Sequence, residues 1–97
     1  MIGQQYPSFQ FTRESILANA LETSGVYAIF RPSAWIYVGE GHDMRARLLA
    51  HVNGDNPCII RENPTGFQCE ACPASQRVAR QDQLILALGP LCNQRLS

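Results

Sequence analysis

Lysine is absent from this chain, and all eight basic residues are arginine. Eight acidic residues balance them, so the formal net charge is zero and the pI is about 6.7. Such a balance argues against a general nucleic-acid coat, although a local basic patch can still meet phosphate. Arginine offers a rigid fork for bidentate phosphate contact, but a compositional bias of the source genome explains its exclusive use more simply. No apolar run approaches the length needed to span a bilayer. The first residues lack a basic-then-apolar leader, and Ile2 rather than glycine follows Met1, so N-myristoylation is not expected. A cytoplasmic location is the default expectation. Repeats, low-complexity tracts and linker composition are missing too, and 97 residues suffice for one domain with a single core.

Metal-binding cysteine patterns are equally sparse. Of the four cysteines, only Cys69 and Cys72 have metal or redox spacing, and no second such pair or His-x3-His completes a zinc site. Cys58, Cys69, Cys72 and Cys92 are therefore expected to be ordinary buried thiols. A zinc or redox module built on Cys69 and Cys72 is the remote alternative.

The densest pattern lies between Ser24 and Asn53. Gly25 to Arg31 is rich in Val, Tyr, Ile and Phe and predicts a strand. Pro32-Ser33-Ala34 breaks it as a turn would, and Trp35 to Val38 resumes strand composition until Gly39 and Gly41 end it. Asp43 is placed to cap a following helix, and Asn53-Gly54 to stop it. With a three-residue loop, Ile29 faces Tyr37 and Tyr27 faces Gly39. Tyr27 and Tyr37 then share one sheet face as a diagonal pair about 7–8 Å apart at Cα. A four-residue loop would split them. Gly39 leaves that side open to a backbone or phosphate. On the helix, Met44, Leu48, Leu49 and Val52 form the core stripe. Arg47 and His51, four apart, share a flank where a cation and an imidazole can clamp a phosphate and move a proton.

The remaining chain reads as support. Met1 to Phe11 is a lead-in whose aromatics dock on the domain, and Thr12 opens a helix carrying Ile16, Leu17, Ala20 and Leu21. Asp55 to Gly66 reads as a loop with a short turn at Cys58 to Arg61. Thr65 to Cys72 is the third strand, with Phe67, Cys69 and Ala71 on one face and Gln68, Glu70 and Cys72 turned towards solvent. The last helix runs from about Ala74 to Leu88 and buries Val78, Leu84, Ile85 and Leu88. Gln81 falls inside that stripe and Asp82 at its edge.

Taken together, Gly25-Val26-Tyr27, Tyr37-Val38-Gly39, Arg47, His51 and the closing Pro90-Leu91-Cys92-Asn93 resemble the GIY-YIG nuclease family. The ten-residue step from Tyr27 to Tyr37 is that family's usual spacing. The resemblance covers about residues 24–93, the core of one domain spanning 1–97, with residues 1–23 as lead-in and helix. It implies an α/β (α+β) fold with a three-stranded, mainly antiparallel sheet flanked by helices. It also implies hydrolysis of a phosphodiester, in DNA before RNA, with Mg2+ or Mn2+ as cofactor. In that picture Tyr27 takes a proton from the attacking water and Tyr37 places the nucleophile. Arg47 stabilises charge at phosphorus, His51 assists, Gly39 admits the substrate and Asn93 braces the site. A protein partner would supply specificity, since no DNA-reading domain accompanies the motifs. A free tyrosine, with a pKa near 10, is a poor base at neutral pH, so a metal or arginine is expected to lower it. The family's metal-binding glutamate precedes a Leu-Ile pair by three residues, and here that position is Gln81. Asp82 and Glu70 are the replacements within reach. Nuclease chemistry is thus expected to be impaired, and a catalytically silent module that binds nucleic acid or protein is the alternative.

Overall fold

Strand-forming residues in the middle of the chain, apolar on successive positions, build an antiparallel sheet with both faces covered. The computed structural model of the chain describes residues 2, 3 and 6–93. Its strands are β1 (Phe9–Gln10), β2 (Gly25–Arg31), β3 (Ala34–Gly41) and β4 (Gly66–Ala71), in the order β1-β4-β2-β3. The sheet has four strands rather than the three expected. The addition is the two-residue β1, which pairs Phe9 with Phe67 and Gln10 with Gly66. A strand that short has no period for a sequence pattern to reveal. β2 lies between β3 and β4, and Gly25 through Ile29 are all buried. That position explains a near-continuous apolar run where a half-exposed strand would alternate.

The β2–β3 hairpin reaches the anticipated tyrosine pairing by another route. Arg31 faces Ala34, so the loop is the two residues Pro32 and Ser33. Phe30 then faces Trp35, but Ile29 faces Tyr37, because Ile36 is the extra residue of a bulge. One residue lost from the turn is regained in the strand, and side-chain parity is restored before the tyrosines.

Each face of the sheet has its own layer. Tyr27, Ile29, Phe67 and Cys69 pack against Ile16 of α1 (Arg13–Asn19), Met44 and Leu48 of α2 (Met44–Val52), and Ile59 of α3 (Pro57–Arg61). The Thr12 hydroxyl accepts from the Ser15 amide and the Asp43 carboxylate from the Ala46 amide, so each helix starts on a side-chain cap. Val26, Ala28 and Val38 point the other way and meet Leu84 of α4 (Arg77–Leu88), flanked by Ile85, Leu88 and Trp35. A turn of 3-10 helix over Ala74–Gln76 leads into α4, and Gly89, at φ +57°, ends it in the left-handed conformation that glycine adopts without strain.

Several local expectations need correction. Asp55 to Gly66 is not all loop, because Pro57 and the Asn56 cap start α3. Val78 is exposed, since α4 meets the sheet along Arg77, Leu84, Ile85 and Leu88 instead. Leu17 and Leu21 are also largely exposed. Gln68 does not face solvent: it is buried, and its amide fastens the lead-in. Its Oε1 accepts from Gly3 N (2.9 Å), and its Nε2 donates to Gly3 O (2.8 Å) and Ser8 Oγ (2.9 Å). The lead-in backbone needs partners, and a polar residue on the covered face supplies them. Finally, Cys58 and Cys92 are not thiols but a disulfide, while Cys69 and Cys72 are free. The bridge joins residues 34 apart in sequence, a pairing that only tertiary proximity reveals.

Candidate active site

A hydroxyl buried beneath glycines is the centre of the first face. Tyr27 is fully buried on β2, and its ring crosses under β3 where the facing residue is Gly39. A Cβ at position 39 would collide with the Tyr27 hydroxyl, so only glycine fits there. Two residues on, a Cβ at Gly41 would crowd the Arg47 side chain at 2.9 Å from its Cγ. The strand end is thus stripped of side chains where Tyr27 and Arg47 approach it.

The Tyr27 hydroxyl lies 2.7 Å from His51 Nε2, and His51 Nδ1 lies 2.7 Å from Asp55 Oδ1. His51 is 2% exposed, so its ring nitrogens depend on these two partners. A carboxylate only accepts, so Nδ1 carries a proton; the Nε2 of a neutral ring is then bare and accepts from the Tyr27 hydroxyl. Asp55 reaches back because α2 ends at Asn53 and Gly54, at φ +89°, turns the chain. The Gly54 amide donates to His51 O (3.0 Å) and the Asp55 amide to Ala50 O (3.2 Å), which fixes the turn.

Burial pushes the Tyr27 hydroxyl well above the ordinary tyrosine range, and Tyr37 adds to this; Arg47 opposes both by its charge and a hydrogen bond. The expected lowering of Tyr27 is therefore overturned, since desolvation outweighs the arginine. Burial likewise lowers His51, against the pull of the Asp55 carboxylate, and keeps the imidazole neutral near pH 7. Tyr27 is a proton donor at rest and His51 the acceptor. Tyr37 completes the cluster, its ring centre 6.3 Å from that of Tyr27 and 5.1 Å, edge-on, from that of His51. Arg47 is exposed beside it and, among the described residues, forms no ion pair.

Asn93 sits at the margin. Its Oδ1 accepts from Val38 N (2.7 Å) and its Nδ2 donates to Val38 O (2.9 Å), as a further strand would. The amides of Leu91 and Cys92 donate to Trp35 O and Ile36 O along the same edge of β3. The Cys58–Cys92 bridge ties this tail to α3.

The remaining predicted residues belong to the layer of α4 and the sheet face it covers. Gln81 is half-buried on α4, the helix of the opposite layer, one turn after Arg77. Arg77 Nε donates to Glu40 Oε1 (2.8 Å) and its Nη1 to Ser24 Oγ (3.0 Å). Asp82 is exposed. Glu70 accepts from Arg80 Nε (2.8 Å), Arg80 Nη2 (3.1 Å) and the Ile2 amide (3.1 Å). Burial raises its carboxyl, but these donors outweigh it and hold the pKa below the usual range. Among the described residues, no three His, Cys, Asp or Glu side chains are grouped to hold a metal ion. Gln81 brings a neutral oxygen, and Glu40 and Glu70 are already neutralised by arginine. The residues present do not fit the divalent ion that the family resemblance implies.

Sequence reasoning missed Asp55. The signal was available: an acid four residues after His51, just past an Asn-Gly helix stop.

The sequence matches no known family model and no curated protein. Solved structures do match. A point mutant of the GIY-YIG N-terminal endonuclease domain of UvrC from Thermotoga maritima, bound to its catalytic divalent cation, gives a TM-score of 0.73 at 24% identity, over 86% of this chain and 94% of that one. A second point mutant gives 0.74 at 23% identity over the same shares. The magnesium-bound domain gives 0.70 at 23% identity, over 81% and 91%. With its central hairpin, its tyrosine pair and helices on both faces of the sheet, the chain has the fold of the GIY-YIG endonuclease domains.

Proposed function

We propose that the chain is a GIY-YIG nuclease-like domain that engages a phosphodiester of nucleic acid, DNA in the first instance, at the Tyr27–Tyr37–Arg47–His51 cluster. One observation carries this reading: a buried tyrosine hydroxyl hydrogen-bonded to a neutral imidazole, beside an exposed arginine that forms no ion pair among the described residues, under a strand end bared by Gly39 and Gly41. Arg47 binds the phosphate, and its fork meets two oxygens at once. Tyr27 passes its hydroxyl proton to His51 Nε2 as it takes one from the attacking water, the work of a general base. Tyr37 borders the same space and orients the water. Asn93 braces β3 at Val38, next to Gly39. We place the protein where nucleic acid is found, in the cytoplasm, with a protein partner supplying sequence preference.

The engaged state of Glu40 and Glu70 favours a second reading, in which the domain binds nucleic acid without cutting it. Plasmid nicking and low-salt DNA titration with Mg2+ or Mn2+ distinguish the two. The nuclease reading expects slow nicking by the wild type, abolished in Tyr27→Phe and accelerated in Gln81→Glu, which adds one negative charge at nearly constant volume. Binding without nicking in both wild type and a folded Gln81→Glu protein leaves the binding module. A wild type that neither binds nor nicks DNA overturns both.

A further inference from the structure

We propose that Asp55 is a positioning residue: its carboxylate holds the Nδ1 proton of His51, so that Nε2 faces the Tyr27 hydroxyl as a bare acceptor. This deepens the nuclease reading and rests on it for its chemical consequence, but the arrangement itself stands on geometry. Both bonds are 2.7 Å long, on opposite nitrogens of one ring. The ring is 2% exposed, so water has little access to replace either partner. Among the groups around His51, Asp55 is the one that only accepts; Arg47 only donates, and the Tyr27 and Tyr37 hydroxyls do both. The polarity of the chain therefore runs from Tyr27 through His51 to Asp55.

The turn makes this placement specific. Asp55 is not a helical residue that meets His51 by periodicity alone. It lies beyond Asn53 and Gly54, where a residue at φ +89° reverses the chain, and its own amide is bonded to Ala50 O. The backbone bonds of Gly54 and Asp55 to the last turn of α2 fix where the carboxylate starts.

The proton balance follows. The water oxygen forms the bond to phosphorus and its proton moves to the Tyr27 oxygen. The Tyr27 proton moves to His51 Nε2, giving an imidazolium whose charge the Asp55 carboxylate meets. The bond from phosphorus to the leaving oxygen breaks, and that oxygen takes a proton from solvent. Without Asp55, the imidazole can adopt the Nε2–H tautomer, which has no lone pair for the Tyr27 proton.

The test is the tautomer of His51 in the 15N-labelled full chain, read by long-range 1H–15N correlation at pH 7.5. The chain has two histidines, and the exposed His42 is the internal reference. The wild type should show Nδ1 protonated and Nε2 bare at His51. Asp55→Ala should give a mixture of tautomers with an unchanged fold, and Asp55→Glu should restore the wild-type signature at least in part. Nicking by Asp55→Ala should fall roughly tenfold or more, a part of the roughly 10²–10⁴-fold that general-base help contributes, while DNA affinity stays constant. An Nε2–H tautomer in the wild type overturns the assignment, as does a wild-type signature that persists in Asp55→Ala. A wild type that never nicks, yet shows the tautomer change on losing Asp55, sinks the nuclease reading and leaves the role of Asp55 standing.

Discussion

The two faces of the sheet use charge in opposite ways. On the α4 face, Glu40 is matched by Arg77 and Glu70 by Arg80, each pair with a contact of 2.8 Å and most of its side-chain surface covered. On the α2 face, the buried groups are neutral, a tyrosine hydroxyl and an imidazole, and the one arginine beside them is exposed and unpaired among the described residues. The difference teaches what each face is built for. Matched charges hold α4 and the lead-in on the sheet, and they engage the two carboxylates of that sheet face, Glu40 and Glu70. An unmatched cation beside a neutral relay is unspent, and an incoming phosphate can use it.

The comparison breaks most readily at Arg47. Arg47→Ala should weaken DNA binding and reduce any cleavage by about two orders of magnitude or more, the scale seen in turnover for lost electrostatic stabilisation. It should change thermal stability by less than about 0.5 kcal/mol, because the side chain is exposed. A titration in low salt and a melting curve measure both. A large loss of stability with unchanged binding would reverse the assignment of the faces.

The edge of β3 belongs to both faces, and the Cys58–Cys92 bridge secures the tail along it. With the cysteines 34 positions apart in sequence, Cys58→Ser or chemical reduction should cost roughly 2–4 kcal/mol in a denaturant titration. Since Cys92 adjoins Asn93, backbone amide exchange at Val38 should rise in the same variant. If exchange there does not change, the tail docks without the bridge.

Arg80→Ala probes the other face. It should cost about 1–3 kcal/mol, the range for hydrogen bonds to charged groups that are partly buried, and leave DNA affinity unaltered. A loss of affinity equal to that of Arg47→Ala would show that the matched face also contacts the ligand.

The smallest effects are those of pH, and they separate the faces by window. The folded pKa of His51 lies below its unfolded value near 6.5. Above that value both states are neutral; as pH falls below it, the unfolded chain binds the proton first and stability declines. Glu70, also depressed, contributes stability above the ordinary glutamate range, and this is lost at lower pH, towards its folded value. Tyr27, raised by burial, adds an alkaline decline once the unfolded tyrosine ionises above about 10. Denaturant midpoints across pH should therefore fall in two acid stages, and Arg80→Ala should remove only the lower one. A single acid stage would mean that His51 is not held neutral.

Local chemistry was the legible part of this molecule. Strand composition located β2 and β3, Asp43 and Thr12 marked two helix starts, and Gly89-Pro90 marked the end of α4. Even Gly39 opposite Tyr27 could be read from the hairpin, although the loop behind it was shorter and a bulge made up the difference. The α2 spacing placed Arg47 and His51 on a common flank, but that alone could not say that His51 would bond a tyrosine.

What the sequence by itself determined is therefore the longer elements, α1, β2, β3, α2, β4 and α4, with most of their ends, because capping, turns and periodicity act within a few residues. The tertiary structure alone decided the rest. It buried Gln68 against a lead-in 65 residues away, joined Cys58 to Cys92, tied Glu40 and Glu70 to arginines on α4, and raised Tyr27 where a lowered value was expected. These outcomes depend on desolvation and on partners distant along the chain. Both are set by how the layers close over the sheet, and no local pattern encodes them.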